Sequence, residues 1–157
     1  MRKIFAGIGS RQTPGHILGL MVQVAEHLSS LGYQLRSGGA IGADTAFARG
    51  ATDKVIYRPE HATPESINMA SQFHPAWDKC NDYARKLHGR NALIIMGDDL
   101  SSPVDLVVCY TNLGQLIGGT ALGIRIANYY GIPVLNMGIP SHLERIQKKL
   151  DGWKNTS

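Results

Sequence analysis

The chain has 157 residues, of which 43% are hydrophobic and 18% are charged, and it carries a formal net charge of +4 with a pI near 9.2. This length and composition predict one globular domain over residues 1–157 and argue against intrinsic disorder. A mildly basic chain suits a phosphate-bearing ligand, but the charge by itself does not indicate nucleic-acid binding.

Strand and helix patterns begin close to the first residue. Residues 3–8 are a short apolar run, which predicts a buried strand. Thr13 and Pro14 have the pattern of an N-cap followed by proline at the first helical position. Apolar residues then recur at three- and four-residue steps up to Gly32, as on one face of a helix that ends at a glycine.

The next predicted elements are shorter. Residues 33–36 predict a second strand, which leads into the glycine-rich residues 37–44 and a helix to about Gly50. Residues 54–57 predict a third strand, and residues 63–64 repeat the threonine–proline signal of a helix start.

The second half of the chain follows the same plan. Residues 74–77 predict a turn that enters a helix near Asp78. The nearly continuous apolar run 104–110 predicts a central parallel strand. Residues 118–120 then precede a predicted helix over residues 121–130.

Residues 132–136 predict a fifth strand, and residues 141–150 predict a last helix. The alternation of strands and helices predicts a Rossmann-like three-layer α/β sandwich with a mostly parallel sheet of about five or more strands. Ligands of such sheets bind at the carboxyl edge, where the strand order reverses.

Three glycine-rich turns follow predicted strands, at residues 7–11, 37–44 and 114–120. Glycine lets the backbone approach a ligand closely, and the helix N-terminus behind each turn offers free N–H groups and a partial positive charge. Three such turns at one sheet edge predict a site for a phosphate-bearing, nucleotide-type ligand. The alternative is that these glycines only form tight turns.

Two standard nucleotide-binding fingerprints do not occur in the sequence. There is no Gly-x-x-x-x-Gly-Lys-Ser/Thr loop, which argues against ATP hydrolysis of the P-loop kind. The first strand is not followed by Gly-x-Gly-x-x-Gly, which argues against ordinary NAD binding. We therefore predict no cofactor.

Cysteine and histidine spacing gives no metal-ligand pattern. Cys80 and Cys109 are far apart and show no CxxC spacing, which argues against a disulfide framework or a zinc site. The histidines also lack ligand-like spacing, so no metal is predicted. No apolar run approaches the roughly 18 residues that span a bilayer, and the first apolar stretch is too short for a signal peptide. A cytoplasmic location without membrane contact is expected.

The loop sequences are similar to those of a known superfamily. Gly9-Ser10-Arg11 after the first strand, with Ser-Gly-Gly-Ala-Ile-Gly-Ala-Asp at residues 37–44 after the second, resembles the DprA/LOG (SLOG) superfamily of Rossmann-like proteins. The later pair Arg90-Asn91 is similar to the Arg-Asn of DprA, the DNA-processing protein. The overall pattern looks most like the short, single-domain DprA-like proteins of phages and mobile elements.

Residues 118–120 resemble part of the Gly-Gly-x-Gly-Thr region of LOG, the cytokinin-activating phosphoribohydrolases. LOG enzymes carry a glutamate shortly after this turn, whereas residues 121–125 here are Ala-Leu-Gly-Ile-Arg. The missing acid argues against LOG-type cleavage of an N-glycosidic bond. The resemblance also implies a homodimer or higher homo-oligomer, for which the pair Tyr129-Tyr130 is a candidate surface.

The residues predicted to bind the ligand lie on the three loops, after the central strand, and at the Arg-Asn pair. They are Gly9, Ser10, Arg11, Ser37, Gly38, Gly39, Gly42, Asp44, Arg90, Asn91, Thr111, Gly118, Gly119 and Thr120. Arg11 is suited to a two-pronged contact with phosphate.

Asp44 is the candidate catalytic residue. It lies near a predicted helix N-terminus, where a carboxylate can bind a ribose hydroxyl, act on a glycosidic carbon, or simply cap the helix. Trp77, after His74, is the candidate for stacking on a base, with packing in the core as the alternative. His88 can contact a phosphate or serve as a general acid, with a surface position as the alternative.

Three functions are consistent with these features. The first, which the loops favour, is a module that binds a nucleotide or nucleotide-derived ligand. The second is an enzyme that cleaves the N-glycosidic bond of nucleoside 5′-monophosphates, with Asp44 stabilising the oxocarbenium ion. The third is a DprA-like protein that binds single-stranded DNA.

Overall fold

The computed structural model describes residues 2–156, which form five strands and six α-helices. The strands are β1 Ile4–Gly9, β2 Gln34–Gly38, β3 Lys54–Tyr57, β4 Leu106–Tyr110 and β5 Val134–Asn136. The helices are α1 Gly15–Ser30, α2 Ala43–Gly50, α3 Pro64–Ser71, α4 Asp82–Met96, α5 Gly119–Tyr129 and α6 Pro140–Thr156. Short 3-10 turns lie at Pro59–His61, Trp77–Lys79 and Asn112–Gly114.

All five strands pair in parallel in the order β3-β2-β1-β4-β5, which confirms the predicted Rossmann-like α/β class. Phe5 of β1 lies opposite Leu35 of β2 on one side and opposite Leu106 of β4 on the other. The chain builds outwards from β1 to β3, then returns to β4 and builds outwards to β5. The connections after β1 and β4 therefore diverge, which leaves a crevice beyond their carboxyl ends.

The sheet separates two apolar layers. On one face, Ala6 and Ile8 of β1 pack in a cluster with buried residues of α3, α4 and α5. On the other face, Phe5 and Leu35 pack with α1, α2 and α6, and the Phe5 ring meets Phe47 edge-on at 6.3 Å. Phe5 and Ala6 face opposite layers because successive strand residues alternate sides, and both layers are buried because helices cover both faces.

The two threonine–proline signals have different outcomes. Thr63 caps α3 as predicted, since its Oγ1 accepts the N–H of Ser66 at 3.0 Å. The predicted cap at Thr13 is wrong. Its hydroxyl donates to the carbonyl of Ser10 at 2.6 Å, so it closes the loop after β1 instead of capping α1.

The helix predicted to begin near Asp78 begins later. Trp77–Lys79 form a 3-10 turn, and α4 begins at Asp82. The side chain of Asn81 accepts the N–H of Ala84 at 2.8 Å. Asparagine is among the strongest N-caps, so it sets the start of this helix.

Further boundaries lie outside the predicted ones, and α5 begins at Gly119 instead of residue 121. β2 continues through Gly38, and α6 continues to Thr156. Within residues 2–156, no helix combines the length and the hydropathy that crossing a membrane requires.

Candidate functional site

A cleft of about 750 Å³ lies where the strand order reverses, beyond the carboxyl ends of β1 and β4. Its walls come from the loop after β1, the start of α2, helix α4 and the loop after β4. The lining residues are Ile8, Gly9, Ser10, Arg11, Gln12, Ala40, Asp44, Tyr83, Ala84, Leu87, His88, Arg90, Asn91, Thr111, Asn112, Ile117, Gly118, Gly119 and Thr120. The predicted site residues outside this lining are Ser37, Gly38, Gly39, Gly42 and Trp77.

Ser10 shapes the first loop. Its Oγ accepts the N–H of Gln12 at 3.0 Å, and its carbonyl accepts the N–H of Thr13 at 3.3 Å. Because Oγ is the acceptor, its own hydrogen is left to donate to a ligand. Arg11, next along the loop, is exposed and lines the cleft.

The second loop supports the cleft from behind. Ser37 is fully buried, and its hydroxyl donates to the carbonyl of Gly7 at 2.6 Å, which joins β2 to β1. The Ser37 hydroxyl therefore has a partner within the sheet, and the residue lies outside the lining of the cleft.

Gly38 and Gly39 leave room for arginine side chains. A Cβ on Gly38 would lie 2.6 Å from both Arg90 Nη1 and Asp44 Oδ2, and a Cβ on Gly39 would overlap the guanidinium of Arg58. The absence of a side chain at Gly38 makes room for Arg90 and Asp44, which line the cleft, and the absence at Gly39 makes room for Arg58. Arg58 follows β3 at the same carboxyl edge as the predicted loops but is outside the lining of the cleft.

Gly42 brings the first two loops together. It precedes α2 with φ +89°, a conformation that side chains rarely adopt, and a Cβ there would lie 2.9 Å from the carbonyl oxygen of Arg11. The glycine therefore allows the two loops to approach each other closely. Asp44, in the first turn of α2, lines the cleft, so the N-terminus of α2 faces it.

Asp44 and Arg90 form the buried electrostatic centre of the cleft. Arg90 donates from Nη1 to the carbonyl of Tyr57 at 3.1 Å and from Nε to Asn91 Oδ1 at 2.9 Å. Burial lowers the pKa of Arg90, but a guanidinium stays protonated at neutral pH. Asp44 Oδ2 accepts the N–H of Ala40 at 3.3 Å, which ties the first turn of α2 back to the preceding loop and does not cap the helix.

Burial raises the pKa of Asp44 to about 6, against the opposing effect of the nearby Arg90 charge. The cleft thus contains a permanent buried cation and a carboxyl group that titrates just below neutral pH. Such a group serves as an acid or a base near the operating pH of most proteins.

The third loop is anchored by Thr111 and Asn136. Thr111 Oγ1 accepts from Asn136 Nδ2 at 2.8 Å, and the N–H of Thr111 donates to Asn136 Oδ1 at 3.1 Å. Asn136 ends β5, and sequence reasoning missed it because nothing local marks this partner. The pair ties the end of β4 to that of β5 beneath the cleft.

The glycines of the third loop face open space. Gly118 has φ +86° at the start of α5. A Cβ added to Gly118 or to Gly119 would have no other group within 4 Å. Asn91 Nδ2 donates to the carbonyl of Gly119 at 3.3 Å, which ties α4 to this loop. Gly119 and Thr120 line the cleft at the N-terminus of α5, where unpaired backbone N–H groups attract anions.

Apolar side chains are exposed around the cleft. Tyr83 is 60% exposed and Ile117 is 65% exposed, and both line the cleft. Tyr83 lies in the polar first turn of α4, and this position is the sequence signal that it faces solvent.

Trp77 lies outside the cleft. Its ring contacts those of His74 and His88 at centroid distances of 5.9 and 6.0 Å, and the Arg85 guanidinium lies over it at 5.3 Å. The 3-10 turn Trp77–Lys79 thus places the predicted stacking residue outside the lining of the cleft.

His88 lines the cleft and also belongs to this neighbouring cluster. Burial lowers its pKa to about 4, with a contribution from His74, so the ring is neutral at physiological pH. A neutral ring carries no positive charge with which to bind a phosphate. His74, Cys80 and His88 present ligand atoms within 4.8 Å of one another, so they are the described residues suited to hold a metal ion.

Neither a protein-family model nor a curated protein sequence matches the chain. A solved structure of DNA processing protein A from Helicobacter pylori, described with its single-stranded DNA binding mode, superposes with a TM-score of 0.60. The match covers 99% of this chain and 81% of that chain, at 18% sequence identity. The chain has a DprA-like fold. At this identity the likeness establishes the fold alone.

Proposed function

We propose that the protein binds single-stranded DNA, with one backbone phosphate seated in the cleft beside Arg11 and Arg90. The observation that carries the proposal is the meeting of these two arginines with the N-termini of α2 and α5 at one sheet edge. Arginines and helix N-termini are the groups that hold phosphate oxygens.

The exposed apolar side chains around the cleft favour a nucleic-acid strand as the ligand rather than an inorganic anion. Tyr83 offers an exposed ring on which a base can stack, Ile117 adds exposed apolar surface, and stacking is tolerant of sequence. The net charge of +4 favours a polyanion. The DprA-like fold adds weight, since the H. pylori protein is described with a single-stranded DNA binding mode.

Fluorescence anisotropy with a labelled, unphosphorylated oligonucleotide tests the proposal. We expect binding that weakens as salt is raised, since each neutralised phosphate releases counterions. Arg11→Ala should weaken binding by roughly tenfold or more, the value of a charge-assisted hydrogen bond. Arg49→Ala removes the same charge from an exposed position of α2 outside the cleft and should change affinity much less.

Competition with mononucleotides separates this proposal from a nucleotide-binding module. If a nucleoside monophosphate binds in an Arg11-dependent manner while the oligonucleotide does not bind at low salt, the ligand is a small nucleotide. If neither binds, the cleft has another role and the proposal fails.

Asp44 favours a second candidate, cleavage of the N-glycosidic bond of a nucleoside 5′-monophosphate. Arg11 and the loops would hold the 5′-phosphate, and the ionised carboxylate would stabilise the oxocarbenium ion. The position of Asp44 in the cleft is the observation in favour. Chromatography of released free base tests it, and turnover that is unchanged in Asp44→Asn would exclude this role.

A further inference from the structure

Three metal-binding side chains converge beside the cleft, between α3 and the first half of α4. Cys80 Sγ lies 3.6 Å from His74 Nε2, and the rings of His74 and His88 are 4.6 Å apart between centroids. One ligand atom from each of the three residues lies within 4.8 Å of the others. The spacing of five and seven residues between them matches no common sequence pattern, which explains why the sequence alone does not reveal the cluster.

The distance between Cys80 Sγ and His74 Nε2 suits a shared metal ion, and a small side-chain rotation would bring the third ligand atom from within 4.8 Å to a similar separation. Two ligands on a tetrahedral zinc ion, with Zn–S near 2.3 Å and Zn–N near 2.0–2.1 Å, are separated by about 3.6 Å. The separation of Cys80 Sγ and His74 Nε2 has this value. A thiolate with two imidazoles is a donor set that zinc and cobalt(II) accept readily.

His88 supplies an independent sign of a missing partner. Its Nδ1 is buried and has no hydrogen-bond partner among the described residues. A buried ring nitrogen without a partner is costly, and such groups are rare in folded proteins. A bound ion would remove that cost.

We propose that His74, Cys80 and His88 bind one zinc-class divalent ion, with the fourth tetrahedral position taken by water. Because His88 also lines the cleft, the ion lies at the cleft's edge. Three protein ligands with an open position are typical of zinc sites that act on a bound molecule, whereas closed structural sites use four.

The hydrogen bonds of His74 show what binding must change. The N–H of Ala76 donates to His74 Nδ1 at 2.9 Å, so the neutral ring carries its proton on Nε2, facing Cys80 Sγ. When Nε2 takes the metal, that proton moves to Nδ1, and Nδ1 can no longer accept from Ala76. Cys80 becomes a thiolate and releases one proton. The metal therefore replaces the proton between the two side chains and frees the Ala76 amide.

Cobalt(II) titration of the metal-free full chain tests the site. We expect one equivalent to give visible d–d bands and a near-ultraviolet thiolate-to-cobalt charge-transfer band, both displaced by zinc. Cys80→Ser, which keeps the shape of the side chain, should abolish the charge-transfer band. His88→Gln should weaken binding by more than about tenfold, since loss of an outer-shell partner alone costs that much.

His16→Gln, at an exposed position of α1, is the matched control and should bind cobalt as the unaltered protein does. In amide NMR spectra, zinc should shift the Ala76 resonance. A charge-transfer band that persists in Cys80→Ser, or no band at one equivalent, would overturn the proposal. Neither result depends on whether the protein binds DNA.

Discussion

At the scale of single residues, Asp44 has the most consequence for pH dependence. Its carboxyl group is 7% exposed, close to Arg90, and its pKa is raised to about 6 because burial penalises the charged form. The folded state therefore holds a proton between about pH 4 and pH 6 that the unfolded state releases.

Stability should reflect this proton. As pH rises from about 4 to above 6, the buried Asp44 ionises and the free energy of unfolding falls, by up to about 3 kcal/mol. Asp44→Asn cannot ionise, so its stability relative to the unaltered protein should increase with pH over this window. Urea denaturation at several pH values measures the difference, with the exposed Asp151→Asn as control. A difference that does not vary with pH would contradict the burial argument.

Ligand affinity should depend on the same proton. A protonated Asp44 no longer repels a phosphate, so oligonucleotide affinity should rise roughly tenfold as pH falls through about 6. Asp44→Asn should bind tightly at every pH. An unphosphorylated oligonucleotide is the right probe because its phosphodiesters do not titrate in this range. If the protein is instead a glycosidase that needs ionised Asp44, turnover should rise with pH, the opposite trend.

At the scale of elements, glycine decides how closely α1 and α2 pack. A Cβ on Gly50 would overlap the carbonyl oxygen of Val22 in α1 and lie 2.9 Å from Ala25 Cβ. The obstacle is helix backbone, which cannot turn aside as a flexible side chain can. Gly19, in the interior of α1, has no group within 4 Å of a built Cβ.

Two alanine substitutions should therefore have opposite effects. Gly50→Ala should destabilise the protein by about 1–3 kcal/mol because the two helices must separate. Gly19→Ala should stabilise it by about 0.5–1 kcal/mol because alanine loses less backbone entropy in a helix. Chemical denaturation gives both values. Equal effects of the two changes would show that the contact between α1 and α2 is not tight.

Element boundaries show the limits of local patterns. The start of α3 at Thr63 follows from residues within one turn, so it was predictable. The start of α4 also has a local cause, the N-cap Asn81. The sequence of the earlier turn at Trp77–Lys79 resembles a helix start as well, so the true start was not predicted. Thr13 fails as a cap because a loop carbonyl competes for its hydroxyl.

At the scale of the whole molecule, we propose that residues 1–157 fold as one domain, because both apolar layers share the same sheet. The two tryptophans report on opposite layers: Trp77 packs against the cluster beneath α4 and α5, and Trp153 packs against the cluster of α1, α2 and α6. Loss of either layer exposes one face of every strand it covers.

The tryptophans allow this proposal to be tested. In Trp77→Phe and in Trp153→Phe, the remaining tryptophan fluorescence and the helical circular dichroism should change at the same denaturant concentration, as in a two-state transition. If the fluorescence midpoint precedes the circular dichroism midpoint in one variant, the layer that contains its remaining tryptophan unfolds separately.

The homo-oligomer and the cytoplasmic location remain predictions. Tyr129 is 74% exposed and Tyr130 is 46% exposed, and both rings contact Phe73. Packing within the chain, including the contact between the two tyrosine rings, leaves much of the surface of both side chains exposed. Sedimentation velocity with Tyr129→Ser would show whether a second copy covers the other.

The sequence by itself determined the α/β class, the order of the elements and the placing of three glycine-rich turns at one sheet edge. These features depend on local periodicity, glycine and proline, and on the rule that parallel strands point the same way. Only the tertiary structure decided that Ser37 and Gly38 stand behind the cleft, that Asp44 lies beside Arg90, and that His74, Cys80 and His88 meet. His74 and Cys80 are close in the sequence. The other groups meet through strand register and helix packing, so their separation along the chain does not predict their distance in space.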